Sequence, residues 1–181
     1  MLDLALDDPM QDFIKGETVT IMAHAPTFAT VSWTSSDENV ATISESGALS
    51  AVAKGSATIT ATASYGGKTV SKQMTVCVHQ FTVSGQNKRF TAVNKTADYS
   101  VEIDSPSERA TLNFLLYSWE LSKLGGNARL DVTESGNSRT VKVTSRDITD
   151  TIFTLTCTTN LNGRTITIAS WYIVVVGKGV G

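Results

Sequence analysis

The stretch from Ala57 to Ala63 reads A-T-I-T-A-T-A, small or apolar and hydroxyl-bearing in strict turn. Successive side chains of an extended strand point to opposite faces of its sheet. A period of two therefore sends one set into a core and the other toward water. A helix, with its period of 3.6, would scatter the same apolar positions around its whole surface. The alternation recurs along the chain. Val19, Ile21 and Ala23 interleave with Thr18, Thr20 and Met22 after Gly16, and Thr30 to Thr34 reads T-V-S-W-T. Val40 to Ile43 and Ala48 to Val52 are shorter runs, and Val70 to Val78 closes a unit. Between them lie the polar turn Ser35 to Asn39, then Ser46-Gly47, Lys54-Gly55 and the hairpin pair Gly66-Gly67. Strands every ~8–12 residues with turns between them predict an all-β sandwich.

The pattern occurs twice. Thr58 to Thr62, T-I-T-A-T, corresponds to Thr154 to Thr158, T-L-T-C-T, and Gly67 to Val70 corresponds to Gly163 to Ile166. Both matches share one offset, which marks an internal repeat. One sandwich of the immunoglobulin kind takes about 100 residues. A chain of 181 residues therefore divides into two tandem immunoglobulin-like domains, 1–79 and 80–181. Trp33 and Trp119 are the side chains large enough to fill the ~10 Å between two sheets. With Ile59, Leu155 and Cys157 they mark the predicted cores. Gly47, Gly55, Gly67 and Gly163 stand where tight turns favour positive φ. The junction Val78-His79-Gln80-Phe81 holds neither Gly nor Pro, which predicts a stiff connection.

The run from Trp33 to Ala63 also resembles the bacterial Ig-like group 2 domain. Trp33, Ser35, Asp37, Val40, Ala41, Gly47, Ala51, Gly55 and the Thr58 to Ala61 tetrapeptide follow that family's pattern in order, as do Gly16 to Ile21. The resemblance covers about residues 1–78. The segment Asp8 to Lys15 departs from it, lacking a clean first strand, and is expected to contact a neighbour instead. The second domain resembles immunoglobulin-like or polycystic-kidney-type sandwiches only generally. What the resemblance implies is a module of bacterial surface proteins or tailed-bacteriophage virions. Such a module acts as a spacer, an adhesive stalk or a capsid decoration. Its implied partners are other structural subunits and cell-surface glycans.

Two segments leave alternatives open. Ser105-Pro106-Ser107-Glu108 reads as a helix cap, and Leu112, Leu115, Leu116 and Trp119 follow at helical spacing. Yet Ala110, Leu112, Phe114 and Leu116 also alternate, and the repeat makes Trp119 a strand residue. So 106–124 is strand or helix. The run Trp171, Tyr172, Ile173, Val174, Val175, Val176 is apolar on both faces. It is either a central strand covered on both sides or a contact with another subunit.

Little here points to chemistry. Cys77 and His79 lie two apart and share a strand face, so a thiol–imidazole pair is conceivable. In the matched family this closing strand holds core and boundary residues, and the chain is expected to have no catalytic activity. Asp7-Asp8, Asp37-Glu38 and Asp147 with Asp150 lack the spacing of a calcium loop and read as turn carboxylates. No zinc spacing or phosphate loop is present, and no cofactor or metal is expected. A net charge of −2 gives no basic stripe for nucleic acid. No apolar run reaches the ~18 residues of a membrane span. The acidic start M-L-D-L-A-L-D-D-P-M lacks the features of an export signal. The two cysteines, in separate domains, suit free thiols and cytoplasmic synthesis. The expected setting is a virion, the alternative a fragment of a bacterial surface adhesin or carbohydrate-binding protein.

Overall fold

The computed structural model describes residues 1–6, 10–107, 117–161 and 163–179. The described residues form an all-β protein of immunoglobulin-like sandwiches, with no α-helix among them. They fall into two units: residues 1–80 with 103–107, and residues 81–102 with 117–179.

The first unit contains β1 (Ala5–Leu6), β2 (Met10–Ile14), β3 (Thr18–Thr20), β4 (Ala23–His24), β5 (Thr30–Ser35), β6 (Ala41–Ile43), β7 (Ala48–Ala51), β8 (Gly55–Tyr65) and most of β9 (Lys68–Ser84). One sheet has the order β5-β8-β9, with β2 added in parallel on β9. The second has the order β3-β7-β6, and β1 pairs β4 beside them. The alternation of β8 does what a period of two requires. Ala57, Ile59, Ala61 and Ala63 are buried, while Thr58, Thr60 and Thr62 between them are partly exposed. Opposite Ile59 and Ala57 stand Met74 and Val76 of β9, and they meet Ala41, Leu49 and Ala51 from the other sheet. Fully burying a side chain such as Ile59 or Leu49 contributes about 1.5–3 kcal/mol.

The second unit contains β10 (Lys88–Phe90), most of β11 (Thr96–Asp104), β12 (Tyr117–Lys123), β13 (Arg129–Ser135), β14 (Ser138–Ser145), β15 (Thr151–Leu161) and β16 (Arg164–Val175). One sheet has the order β10-β16-β15-β12, and β13-β14-β11 supplies the other. Its core joins Phe153, Leu155, Cys157, Trp171 and Ile173 of the first sheet to Tyr99, Val101, Val141 and Val143 of the second. No residue of this core belongs to either core cluster of the first unit.

The internal repeat is visible in the ladders. β8 and β15 are the same length and offset by 96 residues at both ends, 55 to 151 and 65 to 161. Trp33 stands opposite Ala61 on β8, and Trp119 stands opposite Cys157 on β15. Each unit also lays a short early strand in parallel on its closing strand. Phe13 sits beside Val78 in the first, and Phe90 beside Val175 in the second. The copies differ by one residue. In β16 the ladder passes from Cys157 opposite Ala169 to Thr158 opposite Thr167, so Ile168 is the extra residue of a bulge. Beyond it Trp171 takes the inward place that Met74 holds in β9.

Two expectations are resolved here. The segment Asp8 to Lys15, expected to lack a clean first strand, contains β2. Its Asp12 and Phe13 are buried on opposite faces, so no alternation announced it. Of the stretch left as strand or helix, Tyr117–Lys123 is the strand β12, Trp119 included. Glu108, Ala110, Leu112, Phe114, Leu115 and Leu116 lie outside the described residues.

Candidate functional site

Cys77 and His79 do share a face of β9. It is the face turned away from Val76 and Val78, yet both residues are fully buried. The Nε2 of His79 lies 3.0 Å from Asp12 Oδ1, and Asp12 is 1% exposed. Asp12 stands beside Cys77 in the parallel ladder, and Ser56 Oγ lies 3.7 Å from the Cys77 sulfur. Thiol, imidazole and carboxylate are thus gathered in one place, the ingredients of a nucleophile with a base and its orienting acid. Chemistry on a substrate also needs an open face, and Asp12, Cys77 and His79 expose none. The imidazole bonds the carboxylate, fixing β2 to β9. Asp12 carried no sequence signal beyond being a charge beside Phe13 and Ile14.

In the second unit a column of π systems fills the sandwich. Tyr99 packs on Trp171 with ring centroids 5.0 Å apart, and Trp171 stacks on Trp119 at 5.7 Å with the planes 5° from parallel. The Arg139 guanidinium caps the column 5.2 Å from the Trp119 ring centre, a cation–π contact. Arg139 Nη1 donates to the carbonyls of Gly136 and Ser138 at 3.0 and 2.8 Å, and Nη2 lies 3.3 Å from Glu134. Burial pushes the Cys157 thiol up to about 11, with Arg139 pulling weakly the other way. Burial also raises the Tyr99 phenol to about 12. The thiol is therefore protonated near neutrality and a poor nucleophile. Trp33, partly buried, packs between the two core clusters of the first unit.

The closing apolar run divides by face. Trp171, Ile173 and Val175 are buried, Tyr172 is 56% exposed, and Val174 and Val176 are partly buried. Gly47, Gly67 and Gly163 have φ of 80°, 75° and 74°, all in turns, and Gly55 opens β8. The carboxylates Asp37 and Asp147 bind their own turns. Asp37 Oδ1 accepts from the Asn39 backbone N–H at 3.0 Å. Asp147 accepts from the backbone N–H groups of Ile148 and Asn127, bonds that hold its carboxyl below the usual range. Asp7 and Asp8 lie outside the described residues. Among the described residues no three His, Cys, Asp or Glu side chains are grouped to hold a metal ion, and no helix is long and apolar enough to cross a membrane.

One surface feature had no place in the sequence reading. Phe28 and Tyr65 lie with ring centroids 4.6 Å apart and planes at 55°, and they are 50% and 56% exposed. Phe28 sits in the connection between β4 and β5, held by a turn in which Ala29 N–H donates to the Pro26 carbonyl at 2.9 Å. Tyr65 ends β8, just before the Gly66-Gly67 hairpin turn. The signal was an aromatic residue at a turn on each side, Pro26-Thr27-Phe28 and Tyr65-Gly66-Gly67. Nothing in the sequence says that the two turns meet.

Residues 15–76 match the family model of the bacterial Ig-like domain (group 2). No curated protein matches the chain. Among solved structures, the three N-terminal domains of the highly immunogenic outer capsid protein of bacteriophage RB49 are similar in fold. That likeness has 10% identity and a TM-score of 0.52, covering 99% of this chain and 70% of that one. An intimin mutant of EHEC O157:H7 is 24% identical, with a TM-score of 0.37, over 48% of this chain and 54% of that one. A SusE-like surface-located polysaccharide-binding protein of Bacteroides thetaiotaomicron is 9% identical, with a TM-score of 0.38, over 99% of this chain and 35% of that one.

Proposed function

We propose that this chain, whose residues 15–76 are a bacterial Ig-like group 2 domain, is a non-enzymatic module of a surface assembly, carried on a tailed-bacteriophage virion. Other structural subunits hold it there, and it touches cell-surface glycans weakly. The family match is the observation that carries this reading. Two features support the non-enzymatic part. The one gathering of thiol, imidazole and carboxylate among the described residues is sealed from solvent, and the second thiol is buried and protonated. Both cysteines are free, so the fold does not depend on a disulfide. The capsid protein of bacteriophage RB49 lends only its fold, and its place on a particle is carried over here as part of the proposal.

The test is to raise antibody against the purified chain and probe gradient-purified particles from the source by immunogold microscopy and peptide mass spectrometry. Label on particles at a fixed stoichiometry supports the virion. The second reading is a bacterial surface adhesin fragment, which the bacterial family of residues 15–76 favours. Label on the outer face of uninfected cells, with none on particles, would establish that reading instead. Hydrolase or transferase activity abolished by His79→Ala without unfolding would end both.

A further inference from the structure

We infer that the Phe28–Tyr65 pair is a contact site for a neutral sugar ring. This rests on the surface-module reading and gives its glycan contact a place. The rings lie where an immunoglobulin-like sandwich presents its binding loops. The connection before β5 and the β8–β9 hairpin correspond to two of the three loops that form an antibody's combining end. The backbone is held at Phe28 by the Pro26–Ala29 turn and at Tyr65 by the end of β8, so binding has only side chains, and no loop, to order.

Size selects the class of partner. A wholly buried aromatic side chain covers about 150–250 Å². Two rings already half-covered therefore offer roughly 200 Å², against the ~800 Å² per side of a stable protein interface. A single ring-sized ligand fits that area. Charge and hydrogen bonding narrow the class further. From Ala25 to Thr30 and from Ser64 to Lys68 the one charged side chain is Lys68. The other polar groups are the hydroxyls of Thr27, Thr30, Ser64 and Tyr65. A pyranose has a C–H face for the rings and hydroxyls for that rim, and it carries no charge. A Cβ placed on Gly66 or Gly67 would meet nothing within 4 Å, so the approach beside Tyr65 is open. So small a contact gives weak binding, with Kd near about 1 mM.

The experiment titrates the ¹⁵N-labelled full chain with the methyl glycosides of glucose, galactose, mannose and N-acetylglucosamine, and separately with benzyl alcohol. The expected result is saturable shifts of the amides at 27–30 and 64–68 with at least one glycoside. They should weaken at least tenfold in Phe28→Ala and in Tyr65→Ala and persist in Tyr172→Ser, an exposed aromatic elsewhere. Amide spectra of the unliganded variants confirm that each stays folded, and the milder Tyr65→Leu and Phe28→Leu replace any that does not. No saturable shift with any glycoside, or shifts that survive both substitutions, overturns the site. So does a response to benzyl alcohol alone, which would make the pair a generic apolar contact. These outcomes leave label on particles or cells untouched, so loss of the sugar site and loss of the module reading are told apart.

Discussion

His79 and Asp12 show how one buried residue depends on another. The pair lies in a low-dielectric place where an uncompensated partner is costly. Removing the imidazole by His79→Ala takes one partner from the buried Asp12 carboxyl and leaves a hole in the core, and a loss of about 3 kcal/mol is expected in urea denaturation. Replacing both, as Asp12→Leu with His79→Leu, is expected to cost less than the sum of the single changes, because the two sides of one buried hydrogen bond are removed together. Gly47 acts through space. With φ at 80°, a Cβ there would come to 2.5 Å from the Ile21 carbonyl oxygen, a backbone atom that cannot simply swing aside. Gly47→Ala is therefore expected to destabilise by more than the ~1 kcal/mol of a free turn glycine, read in the same assay. Cys157 and Tyr99 set the alkaline limit. Their folded values, about 11 and about 12, lie above the ordinary 9.0 and 10.0. The unfolded chain gives up these protons first as pH rises. Stability is expected to fall from about pH 9 upward through the folded values, while the acid side is unaffected by this pair. A thermal-melt series across pH 8 to 11 reads it, and Cys157→Ala should remove the lower part of the slope.

At the scale of the strand, the ladders make the two units comparable position by position. Ala61 and Cys157 are equivalent, each opposite its tryptophan. The fold already accepts alanine at that place in one copy. Cys157→Ala is therefore expected to cost only about 1 kcal/mol, whereas Trp33→Ala or Trp119→Ala should cost about 3–5 kcal/mol, each read by urea denaturation. The strands with clean alternation, β8 above all, were legible because one of their faces is wet. β2 was not, since Asp12 and Phe13 are buried on opposite faces and a period of two leaves no trace there. The bulge at Ile168 was equally invisible. The repeat predicts the place of Cys157, but the extra residue shifts every later position of β16 by one relative to β9.

For the whole molecule, the core clusters are built of packed apolar side chains, and among the described residues no three His, Cys, Asp or Glu side chains are grouped to hold a metal ion. Chelation with EDTA is therefore expected to leave the melting temperature unchanged, and a fall of several degrees would reveal a structural ion. Both cysteines are buried. A thiol reagent should accordingly react with neither in the native protein and with both in denaturant.

Sequence alone determined that this is a β protein built twice over. Period-two hydrophobicity and turn glycines act locally, and a duplicated pattern needs no coordinates to be counted. It also carried the match of residues 15–76 to the family model of the bacterial Ig-like domain, because a dozen turn and core positions stand in that family's order. Only the tertiary structure brought Asp12 to His79, stacked Tyr99, Trp171, Trp119 and Arg139 into one column, and set Phe28 against Tyr65. Those partners lie far apart along the chain, and the geometry of packed sheets, rather than any local preference, decides which side chains meet.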